Sequence, residues 1–438
     1  MEYFCNYCNG SNCSNYYYLF DIPKTVCFRF NCRCNKRITR EECYLYSREI
    51  FLNTLNFEKG QRTLKWEFGF WGGTIKKWRN EGYIEKTKFT RDILYGEFIN
   101  GPGIQYPMPS YDEDVLFATD LKEVFKLDNG PAPFPFNWFY FPRFEKVVLE
   151  QTSEKVKYIG SDGITRIAFK DERSMPLWVD HPIRNESDWE TIKEEKLNLL
   201  NFAERFTVKD IKNAVKNLKN RDFPLILYGS PIGFFGILRF MIGEENLYLW
   251  YYDKPDFIRK IIEYLCEFWL EIAEELTSLA DFDYGYFFED MAYNNGSLIS
   301  PSIFKEFMMP YYKKLIDFAK SKGVKHFIVD SDGFIEDLIP LFIECGMTGM
   351  LPFEIRSGNN IERIRNKYPK FHILGGIDKT ALESKEKIDL ELEKVSRMIP
   401  FGGYIPYIDH AVPPNISWEN FKYYRNKLNE IIDSTRVL

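Results

Sequence analysis

Between residues 287 and 410, five short apolar runs each lead into polar residues that chemistry can use. Phe287-Phe288 runs into Glu289-Asp290, and Phe327-Ile328-Val329 into Asp330-Ser331-Asp332. Met350-Leu351-Pro352 precedes Glu354, Phe371-His372-Ile373-Leu374 leads to Gly375-Gly376-Ile377-Asp378, and Tyr404-Ile405 leads to Asp409-His410. A helical segment separates each run from the next. Parallel strands that are each followed by a helix place their C-terminal ends on one face, and closing such a sheet gathers distant carboxylates around one cavity. The pattern predicts an α/β chain, a (β/α)₈ TIM barrel, with an acidic pocket suited to catalysis and to a metal ion.

Composition narrows the partners. A net charge of -6 carries no basic footprint, so nucleic acid is excluded as a partner. No apolar run reaches the length of a membrane span, and the start lacks the charged-then-apolar signal pattern, so a cytoplasmic protein without membrane attachment is expected. Seven of the nine cysteines fall between Cys5 and Cys43, the others being Cys266 and Cys345. Residues 1–44 therefore read as a Cys-rich extension and 45–438 as the barrel domain. Clustered cysteines without an export signal suit metal better than disulfides. Cys5 and Cys8 with Cys27, Cys32 or Cys34 would then form a zinc or iron–sulfur site. The alternative is a disordered polar lead-in.

Further along, Thr39 and Glu42 form a capping box for a helix to about Asn56, and 64–70 alternates as a strand. Residues 101–143, rich in Pro and aromatics, read as an irregular excursion over the barrel mouth. Period-two alternation over 145–180, with a turn at Ser161-Asp162-Gly163, predicts an antiparallel β meander inserted in the barrel. A buried strand is expected at 224–229. A helix at 255–279 starts with Pro255 and carries Phe257, Ile261, Leu265, Phe268, Ile272 and Leu276 at helical spacing. Another begins at Ser300-Pro301 and runs to about Ser321. Strands at 324–329, 347–351, 371–375 and 402–408 then alternate with helices near 334–345, 359–367, 380–398 and 417–433.

Two carboxylates at Asp330 and Asp332 on one strand end repel unless a cation or shared proton intervenes, and His410 adds an imidazole that suits a transition metal. These three are the candidate metal ligands. Glu289, Asp290, Glu354 and Asp378 are the candidate catalytic groups. The competing reading has Asp332 and Asp378 capping helices while His410 pairs with Asp409 or Glu354 without metal. His326 lies inside a strand and reads as a hydrogen-bonded core residue, with His372 open to either reading. The glycines at 229, 233 and 236 match no dinucleotide or P-loop spacing.

Several of these segments together resemble the uroporphyrinogen decarboxylase superfamily, above all its corrinoid-linked methyltransferase-type members. They are FFEDMAYNNGSLISPSIFKEFMMPYY (287–312), VDSDG (329–333), PFE (352–354), GGIDK (375–379) and GGYIPYIDHAVPP (402–414), with WEFGFWGGTIKKWRNEG (66–82) and GFFGILRFMIGEE (233–245) upstream. The resemblance covers about 45–435 and implies a barrel with its site at the strand ends. Decarboxylases of this family carry an Arg-rich segment after the first strand, yet Gly69–Trp78 contains no Arg. Methyltransferase members hold zinc through His-x-Cys-Gly and a later Cys; Asp330 and Asp332 stand where the first pair would be, and His410 near the last. The resemblance thus implies a methyltransferase moving a methyl group from a small methylated substrate to a corrinoid on a partner protein, aided by zinc or another divalent metal. The alternatives are a decarboxylase-like lyase on an unknown acid and a non-catalytic binding barrel; a homodimer is compatible with all three.

Overall fold

A computed structural model describes residues 46–83, 98–101, 116–117, 119–170 and 175–438. The Cys-rich segment and the capping box at Thr39 lie outside these residues. Seven strands form one curled, wholly parallel sheet: β1 (Ala132–Pro133), β2 (Leu225–Tyr228), β3 (Tyr284–Phe288), β4 (His326–Asp330), β5 (Gly349–Leu351), β6 (His372–Leu374) and β7 (Tyr404–Ile405), in that spatial order. Parallel neighbours need crossovers. Helices follow β2 to β6 in sequence, including Phe234–Ile242, Pro255–Leu279, Met309–Ser321, Ile339–Cys345, Ile361–Lys367 and Lys385–Met398, and Trp418–Ser434 follows β7. The 25-residue helix Pro255–Leu279 buries Phe257, Ile261, Leu265, Phe268, Ile272 and Leu276, the stripe its spacing predicts. Ser300 caps the next helix by accepting from Ile303 N–H at 3.2 Å, and the turns widen over Phe304–Met308 before the helix continues to Ser321.

Period two assigns the faces. Phe287, Phe327 and Val329 are fully buried and face the helical layer. Tyr284, Tyr286 and Phe288 alternate with Phe287 and are level with His326, Ile328 and Asp330 in the ladder. This second set lines the concave side, so Asp330 sits at its C-terminal rim and His326 at its floor.

The described residues contribute no eighth strand to this sheet. Where one would close it, 63–71 runs between β7 and the residues leading into β1. Asp128 N–H donates to Lys65 O at 2.9 Å on one side, while Val412 N–H donates to Gly69 O and Trp71 N–H to Val412 O on the other, at 2.9 and 3.1 Å. Only Gly69–Trp71 of the expected 64–70 strand is extended in a ladder, antiparallel to Phe98–Asn100. A buried clasp fastens this segment. Glu67, fully buried, accepts from Ile408 N–H at 3.0 Å, from the Tyr424 hydroxyl at 3.0 Å and from Arg425 at 3.3 Å. Outside the sheet, Val147–Gln151, Lys155–Ile159, Thr165–Phe169 and Leu177–Asp180 form a separate four-stranded antiparallel sheet. Among the described residues no helix is long and apolar enough to cross a membrane.

At the floor, His326 Nδ1 and His372 Nε2 are 3.1 Å apart, and His326 Nε2 is 3.1 Å from Asn56 Oδ1. Burial pushes His326 down to about 4 and His372 well below the ordinary imidazole value, so both are neutral in the folded protein.

Two outcomes follow. Arg425→Met leaves Glu67 buried without its cation and lowers stability by about 3–5 kcal/mol in denaturant titrations. Adding Glu67→Gln restores part of that loss. The His pair makes stability rise with pH: its contribution is complete above about 6.5 and is lost as pH falls toward about 4. Replacing both histidines by Asn should flatten that acid limb by on the order of 3 kcal/mol; an unchanged limb would show that the pair does not govern it.

Candidate active site

The strand ends gather acids of two kinds. Asp290, Asp330 and Asp332 each present a carboxylate oxygen within 4.8 Å of the others. Asp330 is the last residue of β4, and Asp332 follows two residues later. Asp290 follows β3 with φ at +46°, a backbone region that non-glycine residues seldom occupy and that clusters at functional sites. The neighbouring backbone fixes this turn: Glu289 N–H donates to Asp330 O at 2.9 Å, and Met291 N–H to Ser331 Oγ at 3.1 Å. Asp332 N–H donates to the Asp290 carboxylate.

Burial and mutual repulsion set the protonation of this cluster. Burial first, then the charge of Asp332, pushes Asp290 up to about 6, against the pull of Arg239. Asp330 is raised well above the carboxylate range by burial and then by Asp290 and Asp332, although the Tyr286 hydroxyl donates to it. Arg239 lies 3.2 Å from Asp290 and 3.5 Å from Glu244. His410 Nε2 is 3.2 Å from Asp332 Oδ2. Burial alone would lower the imidazole, but the Asp332 bond and charge outweigh it and hold His410 above its ordinary value. Its ring stacks on Trp71 at 5.6 Å, with Phe68 and Phe98 edge-on at 6.2 and 6.3 Å, a setting that favours a charged imidazolium.

The remaining acids organise loops. Glu289 accepts from the backbone N–H groups of Phe234, Phe235 and Gly236, each at 2.8 Å, so it caps the helix Phe234–Ile242 from another strand. Both Glu289 oxygens are engaged in this way and the residue has no exposed surface, while burial holds its carboxyl at about 8. Gly233 is needed beside it: a Cβ there would lie 1.9 Å from Phe288 O. Asp378 takes the capping position that the competing reading gave it. It caps the turn Lys379–Glu383, accepting from Thr380 N–H and Oγ1 at 2.8 and 2.7 Å. Asp409 is fully buried and accepts from Ile355 and Lys379 N–H at 2.7 and 3.0 Å. Glu354 pairs with Lys379 at 2.7 Å and accepts from Gly333 N–H at 3.0 Å, bracing the loop after Asp332.

Of the expected metal trio, Asp330 and Asp332 come together. His410 lies outside the cluster of mutually close ligand atoms and reaches Asp332 instead; Asp290 takes its place. Sequence reasoning passed over Arg239, Tyr286 and Lys379. Arg239 was findable as the one charged residue of an otherwise apolar helix, and Lys379 closes the GGIDK segment; Tyr286 carried no signal beyond its strand period.

Asp330→Asn removes one of three repelling carboxyls. Without added metal its thermal midpoint should hold or rise by a few degrees, about 1 kcal/mol, whereas Glu289→Ala leaves three buried N–H groups unpaired and should cost about 3 kcal/mol or more. Differential scanning calorimetry of both variants checks the division into reactive and structural acids.

Residues 165–431 match the family model described as uroporphyrinogen decarboxylase (URO-D). The chain is 24% identical over 306 residues to a uroporphyrinogen decarboxylase of Campylobacter lari, covering 65% of this chain and 85% of that protein. A uroporphyrinogen decarboxylase of Campylobacter concisus is 24% identical over 300 residues, covering 64% and 83%. Among solved structures, a methyltransferase from Methanosarcina mazei aligns with a TM-score of 0.41 at 15% identity, covering 60% of this chain and 73% of that one.

Proposed function

The chain belongs to the uroporphyrinogen decarboxylase family, and on that premise we propose that its acidic cluster binds a divalent cation and serves methyl transfer from a small methylated substrate. The carrying observation is the approach of Asp290, Asp330 and Asp332 to within 4.8 Å at the strand rim, with Asp330 buried and the other two half-buried. Three carboxyls so placed fit a hard divalent ion, which relieves the repulsion that otherwise keeps protons on Asp290 and Asp330. Bound there, a divalent cation supplies Lewis acidity toward the heteroatom that carries the methyl group. Tyr286 orients Asp330, Arg239 orients Asp290, and Trp71 with Phe68 and Phe98 screen the His410 side from water. As the methyl group departs without its bonding electrons, the heteroatom takes up one proton, and His410 is the side chain charged to give it. The acceptor in this reading is a corrinoid on a partner protein, whose cobalt donates the electron pair of the new bond.

Charge favours this over decarboxylation of a polyacid. A substrate with many carboxylates needs free cations, whereas Arg239 and Lys379 are engaged by Asp290 and Glu354. The name of the Campylobacter relatives supports decarboxylation as the second reading.

Isothermal titration should find one saturable divalent site, tightening as pH rises past about 6, where Asp290 releases its proton. Asp330→Asn abolishes it, and Tyr286→Phe weakens it roughly 10- to 100-fold. With cob(I)alamin as acceptor and a panel of methylamines and methyl ethers, methylcobalamin should form only with metal present. Absence of metal binding overturns the reading; coproporphyrinogen formed from uroporphyrinogen at enzyme-like rates replaces it with the second.

A further inference from the structure

A wall of aromatic rings stands beside the acidic cluster, and the apolar core does not account for it. Phe68, Trp71 and Phe98 are half-buried, and none of them belongs to the core or packs against it. Among the described residues their ring neighbours are one another, Tyr407 and His410. Trp71 faces Phe98 across the antiparallel ladder, with centroids 6.2 Å apart. Phe68 lies 5.2 Å from Phe98 and stacks on Tyr407 at 5.9 Å. Gly69 makes the room, since a Cβ there would overlap the Phe98 ring. Each half-buried ring forgoes part of the burial that would stabilise it. A contiguous apolar patch next to convergent polar groups is what a ligand site needs.

The wall and the acids share a neighbour in His410. Its Nε2 is 3.2 Å from Asp332, and its ring lies 5.6, 6.2 and 6.3 Å from Trp71, Phe68 and Phe98. The Asp290 and Asp332 side chains are 26% and 35% exposed, so the acids are open to solvent as the rings are. Charge then selects the occupant. His410, held charged by Asp332, already supplies the cation that these rings favour. With a metal ion at the acids it would repel an ammonium ligand. A neutral flat ring meets no such repulsion and gains from offset or edge-on contact with each wall ring. It also eases the chemistry: a phenol ionises at about 10 and water only at about 15.7, so a phenolate leaves more readily than hydroxide.

We infer that Phe68, Trp71 and Phe98 form an aryl subsite, and that the substrate whose methylated end lies at Asp290, Asp330 and Asp332 is an aryl methyl ether. The preference for a flat ring stands on the wall alone; the placing of the methoxy oxygen rests on the methyl-transfer reading. On transfer the C–O electron pair stays with the oxygen, and the proton from His410 makes it a phenol. The methyl group passes to the partner's corrinoid cobalt, which supplies the electron pair of the new bond.

Anisole serves as the probe and methoxycyclohexane, which keeps the ether oxygen but has no π-face, as its control. Both are titrated calorimetrically into the full chain, without and with saturating manganese(II). Anisole should bind saturably and about tenfold more tightly than methoxycyclohexane. Trp71→Leu and Phe98→Leu should each cut that ratio about threefold while leaving methoxycyclohexane and manganese affinities unchanged. Asp330→Asn should lose manganese and keep the ratio. If a Leu variant fails to fold, the wild-type ratio alone decides. Equal affinity for the two ethers, a ratio that neither Leu variant moves, or no saturable anisole binding means that the rings only shelter His410 and overturns the inference. With cob(I)alamin and manganese, anisole should yield methylcobalamin and phenol. Preferential anisole binding without methylcobalamin would overturn the methyl-transfer reading and leave the aryl subsite standing.

Discussion

Carboxyl groups brought within about 5 Å of one another resist full ionisation unless positive charge joins them. At the rim of this sheet Asp290, Asp330 and Asp332 meet that condition, and their surroundings are arranged around it. Arg239 touches Asp290, Tyr286 donates to Asp330, and His410 touches Asp332. One partner of each kind, a guanidinium, a phenol and an imidazole, offsets part of the repulsion without cancelling it. What repulsion remains is met by protons, which burial and mutual charge hold on Asp290 and Asp330 above the ordinary carboxylate range.

Acids of the other kind make that arrangement rigid. Glu289 and Asp409 accept from backbone N–H groups of neighbouring segments, Glu67 from Ile408 N–H, and Asp378 from Thr380 N–H within its own turn. Their carboxylates replace the ladder bonds that loops lack, holding the rims of successive strands in fixed register. The cost is desolvation, which raises Glu67, Glu289 and Asp409 above the ordinary carboxylate range. A raised value here marks a buried fastener as readily as a reactive group. Hydrogen-bond partners separate the two: a fastener has both oxygens on backbone N–H groups or fixed side chains, whereas the Asp290–Asp330–Asp332 cluster faces its own charges.

That distinction explains what was legible in the sequence. Apolar runs alternating with amphipathic helices mark β2 to β7 because period and length are local properties. The strands prove shorter than the runs: β6 ends at Leu374 and β7 at Ile405, although the buried apolar stretch runs on past both. Sequence placed six acidic site residues and His410 at strand ends but could not sort the acids. Nothing local tells Glu289 from Asp290, adjacent and equally acidic. The sorting depends on Gly233, whose missing Cβ admits Phe288 O and brings the N–H groups of 234–236 onto Glu289. His410 follows the same logic: its strand was predictable, but its partner Asp332 rather than a shared metal ligand set is a property of the assembled rim.

The helix Phe234–Ile242 is tied at its start to Glu289 and near its end, through Arg239, to Asp290. Both fastenings belong to one dipeptide on one strand end, so the helix cannot tilt without carrying its footing along. The position of the Arg239 guanidinium against the acidic cluster is therefore set by a stiff strut rather than by a loop, so a substitution that loosens the start of this helix would be felt at its far end as well.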